Sequence, residues 1–273
     1  MSKLAGEGCK IIMPTEERKP LREIEKSIIK KYRKYTWSKF IKAIKDYKLV
    51  EEGDKIAVAI SGGKDSLLMA KMFQELQKHG QVKFDLVFLA MDPGYHKNIR
   101  QLLEENCEYL NIPLTIFDTN IFDVAGEIAE DYPCYMCARM RRGALYNKAE
   151  ELGCNKLALG HHFDDAVQTF FMNLFYGGKI GCFSPMSYLS RKDLYLIRPM
   201  VFCEESKVES AAQRYHLPVV KSECPVDGHT KRQYAKELLR ELNKEHPGTK
   251  ERMFHAILTG DIKGWPQRTI SRR

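Results

Sequence analysis

A strand-like apolar run, a glycine turn and a helical pattern follow one another between residues 56 and 73. The run Ile56–Ile60 leads into the turn Ser61–Ser66, and the apolar residues from Leu67 onward predict a helix. Two glycines let a backbone approach an anion closely, and the free N–H groups at a helix N-terminus attract negative charge. Since the turn also carries a lysine and two serines, we predict that it binds phosphate.

The sequence of this turn differs from the common nucleoside-triphosphate loop. That loop has a glycine four residues before its Gly-Lys pair and a Ser or Thr directly after the lysine, whereas Asp65 follows Lys64 here. The turn instead resembles the pyrophosphate loop of ATP-pyrophosphatases, which cleave ATP to AMP and pyrophosphate while adenylating a substrate oxygen. A glycine turn that only starts a helix is the simpler alternative.

The composition is that of a globular protein. With 273 residues and 44% apolar content, the chain can form one large domain, or one domain with an extension. No apolar run approaches the roughly 20 residues of a membrane span, and the first 20 residues lack a signal-peptide core. We therefore expect a cytoplasmic protein with no membrane partner, in which the eight cysteines are not a disulfide framework.

Strands and helices alternate along the central part of the chain. This alternation predicts an α/β fold with a doubly wound parallel sheet. Strands are expected near 56–60, 84–91, 114–118, 156–160 and 194–198, and helices near 66–78, 97–110, 121–129, 139–152, 164–176 and 204–215. Ligands of such sheets bind beyond the carboxyl ends of the strands, so the turn 61–66, Met91 and Gly160-His161 should line one crevice.

Three segments are expected. Residues 1–50 form a basic amphipathic N-terminal segment, residues 51–216 form the nucleotide-binding domain, and residues 217–273 form a C-terminal helical appendage. The appendage is predicted to contain helices near 230–244 and 248–259 and to end in a basic tail.

The positive charge is concentrated near the N-terminus. The formal net charge is +8, and residues 22–48 carry ten Lys or Arg against three acidic residues, with five aromatic residues interleaved. Basic side chains neutralise phosphates and aromatic faces stack on bases, so this segment is predicted to contact RNA. An amphipathic helix with a solvated basic face is the alternative, and both readings can hold together.

Two cysteines are separated by two residues in the middle of the chain. Cys134 and Cys137 are expected in a loop between Pro133 and a helix starting near Arg139, where thiolates are favoured. Cys224 is the best candidate for a third ligand, because it is expected in a loop of the appendage that could fold back over the crevice. Three thiolates suit a [4Fe–4S] cluster with one open iron, which can bind sulfide. A redox dithiol, a zinc site and two purely structural cysteines remain alternatives.

An acidic pair follows the strand near 156–160. In the segment Gly160–Asp165, Asp164 is expected to cap the next helix, and Asp165 is expected to bind Mg²⁺ or ATP. His161 and His162 are candidates for proton transfer, although one of them is expected to be structural.

Taken together, these motifs resemble the tRNA 2-thiocytidine synthetase family over roughly residues 37–260. The matching segments are Glu51–Asp54, Ser61–Ser66, Cys134–Cys137, Arg141–Tyr146, Gly160–Asp165, Asn173–Gly178, Ile197–Pro199 and Cys224.

The resemblance implies a cytoplasmic ATP-dependent enzyme that acts on tRNA. Such an enzyme adenylates the C2 oxygen of a cytidine in the anticodon loop, at position 32 in the family, and replaces that oxygen with sulfur through an iron–sulfur cluster. By motif, Cys134, Cys137 and Cys224 would hold a [4Fe–4S] cluster and take part in catalysis with Asp65 and Arg141. The residues that would bind ATP, with Mg²⁺, are Ser61, Gly62, Gly63, Lys64, Asp65, Ser66 and Asp165.

The chain departs from the family at the third cysteine. The family commonly has a second Cys-x-x-Cys there, but Lys221 occupies its first position, which leaves three cysteine ligands. A rival mechanism delivers sulfur as a persulfide on Cys137 or Cys224, and a non-enzymatic rival is an RNA-binding or redox-sensing module. A sulfur donor, either a cysteine desulfurase or sulfide, is an expected partner, and a homodimer is a further expectation.

Overall fold

The structure is a computed structural model that describes residues 18–94, 97–121, 133–214, 217–219 and 231–260. At residues 97, 133–135 and 137 it describes the backbone only. Six strands and nine helices lie in these ranges. The strands β1 to β6 are Lys55–Ile60, Asp85–Asp92, Leu114–Asp118, Lys156–Ala158, Met186–Leu189 and Leu194–Ile197. The helices α1 to α9 are Leu21–Ile29, Trp37–Tyr47, Lys64–His79, Lys97–Tyr109, Pro133–Glu151, Phe163–Gly177, Glu205–Arg214, Lys231–Glu245 and Thr249–Thr259.

The strands form one sheet in the order β3-β2-β1-β4-β6-β5. In the register of the central strand β1, Ile56 lies opposite Leu86 on one side and Lys156 on the other, and both pairings are parallel. The chain builds the sheet outward from β1 through β2 to β3, and then returns to place β4 on the other side of β1. Strand order therefore reverses between β1 and β4, where open α/β sheets bind their ligands.

The predicted doubly wound parallel sheet is confirmed, with one antiparallel strand added at its edge. Strand β5 pairs antiparallel with β6, with Met186 opposite Ile197 and Leu189 opposite Leu194. The two strands are joined by a tight turn in which Asp193 has a φ of 43°. Antiparallel neighbours need only such a short connection, whereas a parallel strand would need a crossover of a dozen or more residues.

The central strands β1 and β4 are buried on both faces. Ala57, Leu157 and Leu196 lie in adjacent strands and belong to one core cluster with Ala149 of α5. On helix α3 every residue from Ser66 to Phe73 is buried. Strands covered by helices on both sides lose the alternation of apolar and polar residues, which explains the continuous apolar run of β1.

Helices α1 and α2 pack through their apolar faces. Ile24, Ile28 and Ile44 are buried, and the ring of Phe40 meets that of Phe73 on α3 edge to face, with centroids 5.2 Å apart. Most of the basic side chains of residues 22–48 are exposed. In these two helices the apolar side chains therefore face the core and the basic side chains face the solvent.

A buried lysine joins α1 to α3. Lys71 is fully buried, and its Nζ lies 2.8 Å from Oε1 of Glu25, 2.7 Å from Oε1 of Gln74 and 2.9 Å from the carbonyl oxygen of Leu110. Burial lowers the pKa of the Lys71 amine, and Glu25 partly offsets this by favouring the charged form. All three hydrogen-bonding positions of the amine are occupied, as a buried charge requires.

The described residues form two compact units. The first unit ends at Asp165 and resumes from Ser184 to the end of the described loop at 217–219, while the second contains Ala166–Phe183, α8 and α9. Within the second unit the rings of Phe171 and Phe175 stack 4.2 Å apart, and Arg232 donates to Oε1 of Gln168. In the described ranges, no helix has the length and apolar character needed to cross a membrane. The predicted boundaries at residues 50 and 216 stay predictions.

Candidate active site

The turn after β1 is held in shape by its own serines. Ser66 Oγ accepts a hydrogen bond from the backbone N–H of Ser61 at 3.1 Å and donates one to the carbonyl oxygen of Gly63 at 3.0 Å. Gly62 has a φ of 77°, which only glycine adopts without strain. Helix α3 begins at Lys64 directly after this turn, so its first N–H groups have no intrahelical partner and can face an anion.

Lys64 is paired with two carboxylates. Its Nζ lies 3.1 Å from Oδ2 of Asp65 and 3.4 Å from Oε1 of Glu205. Burial on its own lowers the pKa of the amine, but Asp65 and Glu205 together outweigh that effect, and the pKa is raised above its ordinary value. Lys64 is therefore a permanent positive charge at the phosphate turn.

The loop after β4 lies against the start of α3. A Cβ added to Gly160 would be 3.5 Å from the backbone nitrogen of Ser66 and 3.5 Å from the carbonyl carbon of Asp65, so the two backbones are in close contact. His162 and Asp165 exchange hydrogen bonds at the start of α6: Oδ2 of Asp165 accepts from the N–H of His162, and Nδ1 of His162 accepts from the N–H of Asp165. This is the arrangement of a capping box.

The expected capping role of Asp164 was wrong. His162 caps its own helix, α6, and Asp164 is a buried residue of that helix's first turn. Its Oδ2 accepts the backbone N–H of Glu205 at 2.7 Å, so the carboxylate serves a different helix, α7. The Mg²⁺ or ATP role of Asp165 stays a prediction.

One carboxylate oxygen in the site lacks a hydrogen bond among the described residues. This atom is Oδ1 of Asp65, which is buried, and Nε2 of His162 lies 3.9 Å from it. Asp65 also lines the cavity described next. A carboxylate that lines a cavity and has one oxygen without a donor suits a cation such as Mg²⁺, which needs only one or two protein carboxylates.

A cavity of about 300 Å³ opens at the carboxyl ends of the strands. It is lined by Ser61 and Ser66 of the turn, Met91 at the end of β2, Gly160 and His161 after β4, and Arg141 of helix α5, among others. The convergence of these segments in one crevice, predicted from the strand ends, is confirmed. Arg141, an expected site residue, adds a second positive side chain from a different element.

Helix α5 connects the cysteines to this cavity. It begins at Pro133, so residues 134 and 137 belong to its first turn, and the prediction of a loop that ends near Arg139 was wrong. Proline is favoured at the first helical position because its missing N–H has no partner there in any case. Arg141 lies one turn beyond residue 137 on the same helix and reaches the cavity.

Some site predictions lie outside the described residues. Cys224 and most of the helical stretch expected at 121–129 fall there, as do the side chains of Cys134 and Cys137. The side chains that the structure does describe contain no group of three potential metal ligands, and the free cysteines among them are Cys107, Cys154, Cys182 and Cys203. The three-cysteine ligand set stays a prediction.

Sequence reasoning missed Glu205, which pairs with Lys64 across 141 positions of sequence. In the sequence, Glu205 is distinguished only by its position. It is one of two acidic residues at the start of the helix predicted after the strand near 194–198.

A parallel sheet whose first strand ends in this phosphate turn defines a PP-loop protein, and residues 20–244 match the PP-loop domain family. A tRNA-cytidine(32) 2-sulfurtransferase of Yersinia pseudotuberculosis serotype IB (strain PB1/+) is 35% identical over 248 residues, which cover 86% of this chain and 78% of the relative. A protein of the same description from Dechloromonas aromatica (strain RCB) is 36% identical over 235 residues, covering 84% of this chain and 81% of the relative.

The chain belongs to this tRNA-cytidine(32) 2-sulfurtransferase family of PP-loop proteins. Its fold is also similar to that of the U34-tRNA thiolase NcsA from Methanococcus maripaludis, solved with its [4Fe-4S] cluster. The TM-score is 0.65 at 25% identity, and the match covers 81% of this chain and 77% of that one.

Proposed function

We propose that this chain is an ATP-dependent tRNA sulfurtransferase that adenylates the C2 oxygen of cytidine 32 and replaces that oxygen with sulfur. The observation that carries the proposal is the single cavity in which the phosphate turn meets Arg141, on the helix whose first turn contains Cys134 and Cys137. Both halves of a thiolation reaction, activation of an oxygen and delivery of sulfur, thereby have candidate residues within one site.

The phosphate turn would bind ATP. The N–H groups at the start of α3, the hydroxyl of Ser61 and the amine of Lys64 would donate to phosphate oxygens, and Ser66 would hold the turn in shape around them. Gly62 and Gly63 leave room for the phosphates to approach the backbone. When the substrate oxygen attacks the α-phosphate, negative charge moves onto the departing pyrophosphate, and fixed positive groups stabilise it.

Mg²⁺ would be held by Asp65, which lines the cavity and whose Oδ1 has no hydrogen-bond donor among the described residues, with Asp165 as a further candidate. A divalent cation there would neutralise phosphate charge and offset the repulsion between ATP and the carboxylates.

Cys134 and Cys137 are suited to hold two corners of an iron–sulfur cluster. Positions three apart in one helical turn share a face of the helix, and thiolates are the ligands that such clusters take. Cys224 would be the third ligand. When bound, the cluster would supply the site that carries the incoming sulfur. Arg141, one turn further along α5, would stabilise negative charge near the base.

The basic N-terminal region would contact the tRNA. Tyr35 is 41% exposed, and the amines of Lys34 and Lys207 lie 5.8 and 5.1 Å from the centre of its ring. An exposed aromatic ring among lysines is suited to phosphate contacts and base stacking.

This basic region lies close to the phosphate turn. Sγ of Cys203 is 3.6 Å from the carbonyl oxygen of Thr36, and the carbonyl oxygen of Cys203 accepts the N–H of Phe163, next to His162. An RNA strand on Lys39 and Tyr35 would therefore be a short distance from the site.

The test is an assay of the purified, anaerobically prepared protein with ATP, a sulfur donor and tRNA. The expected products are AMP, pyrophosphate and 2-thiocytidine at position 32, the last detected by nucleoside mass spectrometry, and Lys64→Ala is expected to lower AMP formation to a small residual rate. A tRNA with uridine at position 32 is the matched control and should not be modified. Thiolation at another position would reassign the substrate, and full activity of the colourless, iron-free protein would remove the cluster in favour of a persulfide carrier.

The sulfur donor, whether a cysteine desulfurase or sulfide, the homodimer and the cytoplasmic location are expectations that accompany this proposal. A protein that binds tRNA and ATP but forms no AMP would support the non-enzymatic alternative.

A further inference from the structure

We propose that Glu205 is a positioning residue that holds the amine of Lys64 in place at the phosphate turn. The inference deepens the proposed function and rests on it. Glu205 Oε1 lies 3.4 Å from Lys64 Nζ, and both side chains are largely buried, with 20% and 23% of their surfaces exposed. At this level of burial an ion pair is screened less than one at the surface.

Glu205 is itself fixed in position. It is the first residue of α7, and its backbone N–H donates to the buried carboxylate of Asp164 at 2.7 Å. Helix α7 packs against α3, and Val208, one turn along, is fully buried. The carboxylate that reaches Lys64 therefore projects from a backbone that is anchored on two sides.

The other partner of Lys64 cannot replace Glu205 in the loaded site. Asp65 is the candidate for Mg²⁺, and a carboxylate that binds a divalent cation attracts an amine less strongly. Glu205 then remains as the anionic partner of Lys64 among the described residues. A lysine side chain loses rotamer freedom when it is fixed, and an anchored lysine has already lost that freedom before ATP arrives.

The expected effect falls on the chemical step. Glu205 also repels the phosphates of ATP, so its removal should not weaken ATP binding. A lysine that is poorly held stabilises the departing pyrophosphate less well, and this lowers kcat. We therefore expect kcat for AMP formation in Glu205→Gln to fall about tenfold, with KM for ATP within about twofold of the wild type.

A double-mutant cycle separates this role from a purely structural one. An acidic residue in the first turn of a helix also interacts favourably with the helix dipole, and that benefit does not depend on Lys64. If Glu205 acts through Lys64, Glu205→Gln should lower kcat in the wild type and have no further effect in a Lys64→Ala background. Glu204→Gln makes the same charge change one residue earlier and should leave kcat unchanged.

The experiment uses the full chain, and thermal unfolding of all variants is measured alongside the kinetics. Equal falls in kcat in both backgrounds, or no fall in either, would overturn the inference. If Glu205→Gln does not fold, Glu205→Asp keeps the negative charge at the start of α7 and shortens the side chain. If the Glu205→Asp variant folds and keeps full kcat, the carboxylate contributes only to folding, and the positioning role is rejected.

A failure of the proposed function gives a different result. If the wild type forms no AMP with tRNA, the sulfurtransferase proposal falls, and the unfolding data still test the ion pair. Non-additive shifts in the unfolding midpoints of Lys64→Ala, Glu205→Gln and the double variant support the pairing of the two residues. Additive shifts reject it.

Discussion

Asp164 on helix α6 accepts the backbone N–H of Glu205 on helix α7, with 2.7 Å between the carboxylate oxygen and the nitrogen. The bond joins the helix that follows β4 to the helix that follows β6, at the edge of the sheet where the phosphate turn lies. Asp164 thus fixes the start of the helix that presents Glu205 to Lys64.

Replacing Asp164 by Ala should destabilise the protein by about 1–2 kcal/mol, because the first turn of α7 loses a buried hydrogen-bond acceptor. Asp164→Asn is the matched control, since its amide oxygen can still accept the hydrogen bond. This variant should lose clearly less stability than Asp164→Ala. Urea unfolding at pH 7 measures both values. Equal losses for Ala and Asn would mean that the negative charge of Asp164, and not the hydrogen bond, is what matters.

Gly62→Ala should impair ATP use. The φ of 77° at this position is unfavourable for a residue with a Cβ and costs about 1–2 kcal/mol, so the turn would relax to a shape that binds phosphate less well. We expect KM for ATP to rise severalfold. Gly143→Ala is the control: Gly143 lies inside helix α5, and an added Cβ meets no atom within 4 Å. That change should instead stabilise the protein by about 0.5–1 kcal/mol. An unchanged KM in Gly62→Ala would contradict the role of this turn.

Glu25→Gln should lower stability by about 2 kcal/mol at pH 7, because the buried amine of Lys71 would lose its charged partner. Burial on its own raises the pKa of Glu25, but Lys71 and Lys78 outweigh it, and the pKa is lowered overall. A lowered carboxylate pKa adds stability above the ordinary value of 4.5, and this contribution is lost as the pH falls through the folded-state pKa.

The difference between wild type and Glu25→Gln should therefore narrow below about pH 4, in unfolding experiments at a series of pH values. Glu23→Gln, on an exposed position of the same helix, is the control and should change stability by less than about 0.5 kcal/mol. A pH-independent difference would argue against the ion pair as its source.

Lys207→Ala should weaken tRNA binding. If Lys207 contacts a phosphate, binding of tRNA to the variant releases one counterion fewer than binding to the wild type. The slope of log binding constant against log salt concentration should therefore become less steep by about 0.9. Lys192→Ala is the control, because Nζ of Lys192 is already neutralised by Glu150 at 2.7 Å. Filter binding at several salt concentrations measures both slopes. The same slope for the wild type and Lys207→Ala would place the RNA elsewhere.

The sequence predicted the parts of the fold that depend on strong local patterns. Strands β1 to β3 and helix α3 lie within two residues of their predicted bounds, because continuous apolar runs mark buried parallel strands. Strand β5 was missed because it has only four residues and follows Pro185, features that are more typical of a loop. The early start of α5 was missed because Pro133 was read as a loop residue, although proline is favoured at the first position of a helix.

The sequence predicted those site residues that lie together in one short segment. The phosphate turn carries its own glycines, lysine and serines, and Arg141 was named because the motif after Cys137 resembles that of related thiolases. The contact between Glu205 and Lys64, and the contact between Asp164 and Glu205, both depend on how α7 packs against its neighbours. No local sequence pattern encodes that packing. Contacts across more than 40 positions therefore need the structure.

The buried amine of Lys71 sets a limit on how this protein can be shortened. A chain that started at Val50 would keep every strand of the sheet, yet it would leave an ammonium group facing the gap left by α1, with its acidic counterpart removed. Water would have to enter beneath α3 to solvate that charge, behind the helix whose first turn is proposed to bind phosphate. Helices α1 and α2 therefore support the proposed nucleotide site. Removing them should make that site less rigid, even if neither helix contacts ATP.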